Sequence, residues 1–309
     1  MDPRRESAPL GREPGDPEYV RGSSEVTILA RLLTDLSEAA VIAANEESCV
    51  QFWLHYGRGP GCEVHEEPDL AWFTTGIPFA LLNGVMRARL APEDVDGRIE
   101  DMVAEFRRRG VPLEWNVGTS TMPRDLGRHL ERHGFEHAFS LPGMAIDLKT
   151  LPGDEGPPPG FTIAPVTSRR DLETYVRVGA SAFDVPEAYL PRLVEIEAGM
   201  GPDVADLTTC YLGRLDGRPV ATSMLFLAAG VAGIYFVGTA PEARGRGIGE
   251  AMTRWALREA RELGYRVGIL QASTKGDPIY RRIGFREYFR IEIYEEAGGM
   301  SPRPVNEAR

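Results

Sequence analysis

Cysteine is scarce in this chain. Cys49, Cys62 and Cys210 are its three cysteines in 309 residues, with neither CxxC spacing nor a histidine at metal-ligand distance. That excludes a disulfide framework and a structural zinc site, and leaves three buried free thiols in a reducing cytoplasm as the expectation. Long apolar runs are missing too: near the start the longest, Ala39 to Ala44, is far too short to span a bilayer. No Gly-Lys-Ser/Thr occurs, which removes the nucleotide P-loop. His129 and His133 stand at i, i+4 but lack the glutamate and third ligand of a zinc protease, so they are read as a solvated helix face and no metal is expected. Positive charge is in deficit. The formal net charge of -11 repels nucleic acid and anionic membranes alike, and suits a neutral or cationic small partner. What is present is ordinary globular composition, 42% apolar and 26% charged, in a length that allows about two domains.

Punctuation divides the chain. Residues 1–23 are polar and rich in Pro and Gly, and read as a disordered leader. From Glu25 onward, Leu29, Leu32, Leu33, Leu36, Ala40 and Ala43 recur at helical spacing and predict an amphipathic helix opening a first domain, 24–149. Within that domain, Trp72 to Phe79 reads as a strand and a Gly-Ile-Pro turn that supply core. A Pro- and Gly-rich stretch at 150–160 holds neither helix nor central strand and forms the linker to a second domain, 161–295, before a flexible tail, 296–309. In the second domain Phe161 to Val166 predicts a strand, followed by helices over Ser168 to Phe183 and Tyr189 to Ala198. Thr208 to Leu215 and Pro219 to Leu227 form a hairpin across Asp216-Gly217, where both turn positions tolerate positive φ, and Val231 to Thr239 completes a meander. A helix to Leu263, stopped by Gly264, leads to a strand at Arg266 to Gln271, and the right-handed crossover rule makes those last two strands parallel.

The chemistry concentrates where the third strand of the meander meets that helix. Arg244-Gly245-Arg246-Gly247-Ile248-Gly249 places three alternating glycines and two arginines at a helix N-terminus. Glycines let backbone N–H groups converge on one point, the helix end adds partial positive charge, and the arginines add full charges, which together describe a diphosphate cradle. The spacing does not match the dinucleotide fingerprint G-x-G-x-x-G. It does resemble the Arg/Gln-x-x-Gly-x-Gly/Ala signature of the GNAT family of N-acetyltransferases, through Arg244, Gly247 and Gly249. About thirty residues on, Tyr280-Arg281-Arg282-Ile283-Gly284-Phe285 resembles the family's second hallmark, A-x-x-x-Y-x-x-x-G-F, although Gly276-Asp277-Pro278 replaces its upstream residues.

This resemblance implies an α/β fold with a mixed sheet: two tandem acyl-CoA N-acyltransferase (GNAT) folds, each a central mixed β-sheet flanked by helices. It implies acetyl-CoA as co-substrate and an amine acceptor on a small molecule or peptide, with an aminoglycoside or polyamine suiting the net charge. It assigns the thioester and its cofactor to Phe236, Val237, Gly238 and Thr239, the whole loop from Arg244 through Gly245, Arg246, Gly247 and Ile248 to Gly249, and Ser273. The amine attacks the thioester directly, a backbone N–H from Tyr235 to Thr239, Val237 above all, receives the oxyanion, and Tyr280 protonates the departing thiolate without needing a strongly perturbed phenol. The general base stays open among Asp184, Glu187, Glu195 and Glu197. Tyr235 is read as packing rather than acceptor contact. The same motifs also fit a module that binds a CoA thioester without turnover.

A weaker copy precedes this one. Gly84 to Glu93 parallels Gly233 to Glu242 at an offset of 149, and His129 to Phe135 parallels Ile279 to Phe285 at 150. At that offset Val95-Asp96-Gly97-Arg98-Ile99-Glu100 lies where the cradle should be, with acids in place of glycines, and Leu130 lies opposite Tyr280. Carboxylates at a helix N-terminus repel phosphate, so the first domain is expected to be a degenerate GNAT fold that does not bind CoA. Oligomeric state is not legible.

Overall fold

The computed structural model describes residues 32–153, 156–200 and 207–297. The expected leader at 1–23, the first helical residues before 32 and the tail from 298 lie outside them. The first half runs α1 (Glu38–Tyr56), β1 (Glu63–Glu66), β2 (Leu70–Thr74), β3 (Asn83–Ala88), α2 (Val95–Arg109), β4 (Glu114–Val117), α3 (Leu126–Arg132) and β5 (Phe135–Asp147). The second runs β6 (Phe161–Pro165), α4 (Arg169–Ala182), α5 (Leu190–Ala198), β7 (Thr208–Leu215), β8 (Arg218–Ala228), β9 (Val231–Thr239), α6 (Ile248–Glu262), β10 (Val267–Gln271), α7 (Asp277–Ile283) and β11 (Arg286–Glu296).

The expected mixed α/β architecture is present, and the strands of both halves join one sheet. Its order is β1-β2-β3-β4-β11-β5-β10-β9-β8-β7-β6. The last strand of each half has crossed into the other: β5 lies between β11 and β10, and β11 between β4 and β5. β10 pairs antiparallel with β5 from Val267 opposite Asp147 to Gln271 opposite Gly143, and β11 pairs with β4 from Glu292 opposite Val117 to Glu295 opposite Glu114. Gly143 is required at its register position, because a Cβ there would stand 2.3 Å from the ring of Phe289. A bidentate Arg266–Asp147 pair at 2.5 and 2.6 Å locks the start of β10 to the end of β5.

The first helix differs from its expected position. Residues 32–36 are not helical, and Leu32 and Leu36 are each 39% exposed. Ser37 caps α1 by accepting the Ala40 N–H, and Asp35 accepts the Ser37 N–H at 2.9 Å, so local side-chain bonds end the helix there. α1 instead runs to Tyr56 and is buried on several faces, including Asn45, Ser48, Cys49, Phe52 and Tyr56. Buried Asn45 donates to the Met144 carbonyl at 3.0 Å and accepts from Gln271 at 2.7 Å, touching both exchanged and native strands. Of the three free thiols only Cys49 is fully buried; Cys62 and Cys210 are partly exposed.

Elsewhere the elements follow their sequence signals. Ser168 caps α4, the β7–β8 turn has φ of 50° at Asp216 and 79° at Gly217, and β9 and β10 are parallel. Leu263 lies beyond the end of α6 and is 59% exposed, because the core face of that helix ends with Ala260. Among the described residues no helix is long and apolar enough to cross a membrane.

Because β5 pairs only with strands of the second half, and β11 only with strands of the first, residues 1–149 and 150–309 produced separately are expected not to fold. The full chain should unfold in one transition with matching calorimetric and van't Hoff enthalpies. Two resolved transitions, or a folded isolated half by circular dichroism, would contradict the exchange.

Candidate active site

The meander strand β9 carries the first distinctive feature of the site. Its ladder to β8 is regular from Ala228 opposite Val231 to Met224 opposite Tyr235, then resumes with Thr222 opposite Gly238, so Ser223 faces both Phe236 and Val237. This is a β-bulge with Phe236 at φ 47°, held by the Thr222 hydroxyl donating to the Phe236 carbonyl at 2.9 Å. On its other edge β9 pairs with β10 only through Ala232 and Gly233. The two parallel strands therefore part just before Tyr235, and the edge from there to Thr239 faces a gap. Backbone donors at a strand opening of this kind are available to a ligand.

The cradle loop follows at the mouth of that gap. Gly245 and Gly247 adopt φ of 76° and 75°, the left-handed conformation that the alternating glycines anticipate. No side chain caps the first turn of α6, so its leading N–H groups are left to other partners. Arg244 and Arg246 are exposed, and Arg244 donates to the Thr239 carbonyl at 3.2 Å and the Ala182 carbonyl at 3.3 Å, tying the loop to the ends of β9 and α4. Gly249 lies in the first turn, where a Cβ would come 3.7 Å from the Thr239 hydroxyl and 3.9 Å from Ile279, and Ile248 is buried in the core. The acid nearest the loop, Glu250, is engaged by Arg254 at 3.0 Å and Arg282 at 3.7 Å.

Tyr280 projects from α7 into the same apolar cluster that Val237 packs against. It is 9% exposed and edge-on to Phe285. Burial pushes its phenol up to about 12, a larger shift than the proposed acid role requires. The group stays protonated at any physiological pH and is a weaker acid than in water. Ser273 precedes α7 and its hydroxyl oxygen accepts the Gly276 N–H at 3.2 Å, which leaves the hydroxyl proton for a ligand. Tyr235 is stacked on Phe52 at 3.7 Å, a packing role.

A pocket with a cavity volume of about 70 Å³ opens on the other side of the bulge, lined by Phe236 and Thr222. Its remaining walls come from α4, from Leu193 and Glu197 of α5, and from Tyr56, Leu81 and Leu82 of the first half. Of the four acids left open by the sequence, Asp184, Glu187 and Glu195 are exposed, and only Glu197 lines the pocket. Tyr56 donates to its carboxylate at 2.5 Å. Burial pushes Glu197 up to about 7, against the lowering effect of that hydrogen bond. Sequence reasoning missed Tyr56 because it lies 141 residues away, with no local motif around it.

The first half has no cradle of its own. Two residues separate Pro92 from α2, whereas six separate Pro241 from α6. The four residues Arg244 to Gly247 thus have no counterpart, and the aligned Val95 to Arg98 are already the first turn of α2. Asp96, expected to block phosphate, instead contacts His129 at 2.8 Å and His133 at 3.1 Å, which draw its carboxyl below the usual range.

Comparison with known proteins agrees with this geometry. Residues 182–285 match the family model described as acetyltransferase (GNAT) family. The chain is similar to a mycothiol acetyltransferase of Thermobispora bispora, 27% identical over 292 residues, which are 89% of this chain and 94% of that protein. Among solved structures it resembles a GCN5-related N-acetyltransferase from Kribbella flavida, with a TM-score of 0.62 and 24% identity over 83% of this chain and 96% of that one. It also resembles a tandem GNAT protein from the clavulanic acid biosynthesis pathway, with a TM-score of 0.54 and 14% identity over 82% and 97% of the two chains. The two structural likenesses carry the fold alone.

Gly238 couples these parts, since a Cβ there would stand 2.7 Å from Ala182 and 3.0 Å from the Thr222 hydroxyl. Gly238→Val is expected to cost ~1–3 kcal/mol through forced separation of α4 from β9. Urea unfolding of the variant beside the parent chain measures it, and an unchanged midpoint would show that α4 yields freely.

Proposed function

We propose that the chain, which matches the acetyltransferase (GNAT) family over residues 182–285, moves an acetyl group from acetyl-CoA to an amine of a small molecule or peptide by direct attack. The observation that carries this reading is the pairing of an uncapped helix N-terminus with a parted strand edge, to which the second half adds the left-handed Gly245 and Gly247 turn that the first half lacks. The fit to a diphosphate is chemical as well as steric. Gly245 has nothing within 4 Å of a Cβ position and Gly247 only Pro158 at 3.8 Å, so the loop face is open, and two exposed guanidiniums flank it.

In this reading Arg244, Arg246 and the N–H groups of the Gly245 to Gly249 turn hold the pyrophosphate. Phe236 to Thr239 and Ser273 guide the pantetheine arm along the open edge of β9 into the gap. The Val237 N–H takes the developing oxyanion, where a fixed donor in a dry site is worth several kcal/mol of barrier, ~3–4 in measured cases. Tyr280 gives its proton to the departing thiolate. A phenol near 12 is a poor match for a thiol near ~8.5 in water, but the burial that raises the phenol also raises a thiolate beside it. A mycothiol acceptor is a second reading, favoured by likeness along almost the whole length of the Thermobispora bispora protein.

Tyr280→Phe is expected to lower kcat by roughly 10²-fold or more while leaving the calorimetric Kd for acetyl-CoA unchanged. Arg244→Glu should instead weaken acetyl-CoA binding by at least about tenfold. Acetyl-CoA binding with no acceptor-dependent CoA release over a broad amine panel, together with indifference to Tyr280→Phe, would identify a thioester-binding module without turnover.

A further inference from the structure

The pocket beside the bulge differs in chemistry from what the net charge of the chain invites. Its walls are mostly hydrocarbon, from Leu81 and Leu82 of the first half, Val176 of α4 with Phe183 just after it, Leu193 of α5 and Phe236 of β9, with the hydroxyls of Tyr56, Tyr175 and Thr222 as the neutral polar groups. Among the described residues that line it, Glu197 is the only carboxylate and none is a cation. A sugar or polyamine placed there would set several hydroxyls or a second ammonium against a mostly hydrocarbon wall with too few partners, which is costly for neutral groups and more so for a charge. An aromatic or branched alkyl body gains instead, because its apolar surface leaves water.

We infer that the acceptor is a primary amine carried on an aromatic or branched hydrocarbon body, and that Glu197, positioned by Tyr56 of the first half, takes the proton from its ammonium. This rests on the acetyl-transfer reading above. The two substrate sites adjoin through single elements. Phe236 lines the pocket while its neighbour Val237 packs with the Tyr280 cluster, and the last turn of α4 both lines the pocket with Ala180 and Phe183 and accepts the Arg244 guanidinium at Ala182.

The step balances with these groups alone. The ammonium gives one proton to the Glu197 carboxylate, and the freed lone pair forms the C–N bond at the thioester carbonyl carbon. The C–S bond breaks with its electron pair leaving on sulfur, and the thiolate takes the Tyr280 proton. The second nitrogen proton of the forming amide returns to the Tyr280 oxygen through water. Glu197 then releases its proton to solvent. Amide, CoA thiol and one proton are the products.

The groups facing Glu197 are Tyr56 from α1, Tyr175 from α4 and Cys210 from β7, and none is a cation. Burial therefore sets the carboxyl at about 7, with only the Tyr56 bond opposing it. The active form is the carboxylate, so the rate rises with pH through about 7. The first half thereby acquires a purpose, since Tyr56, Leu81 and Leu82 complete the acceptor wall.

The test uses the full chain with saturating acetyl-CoA and follows CoA release with phenethylamine and tryptamine against glucosamine and spermidine. The hydrocarbon amines are expected to exceed the polar ones at least about tenfold in kcat/KM. Glu197→Gln should lower kcat by roughly 10²-fold, abolish the rise near pH 7 and leave the KM for acetyl-CoA alone. Tyr56→Phe should move that rise to higher pH, a shift that a purely structural role would not produce. Gly179→Leu, whose Cβ makes only ordinary contact with Thr222 at 3.8 Å, should fill the pocket and raise the KM for phenethylamine. Preference for glucosamine or spermidine, or a Glu197→Gln variant with parental rate and pH profile, overturns the inference and leaves acetyl transfer standing. Phenethylamine that binds by calorimetry in the presence of CoA, is lost in Gly179→Leu, yet is never acetylated supports the apolar-amine site while overturning both the transfer reading and the role of Glu197. Phenethylamine that neither binds nor reacts overturns the inference outright.

Discussion

The antiparallel pairing of β5 with β10 is the contact on which the rest of the molecule hangs. β10 needs backbone partners on both edges, and β9 gives it only Ala232 and Gly233 before the two strands part. β5 satisfies the other edge along all five residues from Val267 to Gln271. Unpaired backbone groups in a buried sheet are costly. With one edge fully laddered, β10 can leave β9 after Gly233, and the parted edge of β9 follows. Asn45 reinforces the arrangement from α1 by bonding to Met144 on β5 and Gln271 on β10 at once.

The reciprocal pairing of β11 with β4 and β5 makes the two halves alike in outline, which sharpens the importance of where they differ. Both carry a strand, a helix, a strand and a short helix ending in Gly-Phe. The difference is four residues. In the first half the chain enters α2 directly, and its leading turn is met by Asp96 with two histidines. In the second half four further residues precede α6, no side chain caps its first turn, and two exposed arginines belong to the loop before it. The two halves differ here by added residues rather than by substitution.

The halves also meet across the pocket. Phe52 of α1 lies flat on Tyr235 at 3.7 Å with rings 4° from parallel, and Tyr56, one turn further on, reaches Glu197. Aromatic packing thus fixes β9 just before its bulge, and the same helix supplies the hydrogen bond that steadies the carboxylate. Rigid support of a reacting strand from a second element is what holds such geometry.

Features that depend on a few consecutive residues were determined by the sequence alone. The Asp216-Gly217 turn, the Ser168 cap, the left-handed glycines of the cradle and the Gly-Phe turn after Tyr280 each follow from local backbone preference and appear at their expected positions. The duplication was legible for the same reason. Three things were decided only by tertiary structure. α1 begins at Glu38 and buries polar residues on several sides, so no single apolar stripe could mark it. The exchange of β5 and β11 depends on pairing energies between segments well over a hundred residues apart, which alternation within either strand does not encode. Which of Asp184, Glu187, Glu195 and Glu197 loses its water also depends on tertiary packing, and it is Glu197 that does so, beside Tyr56 from the far half of the chain.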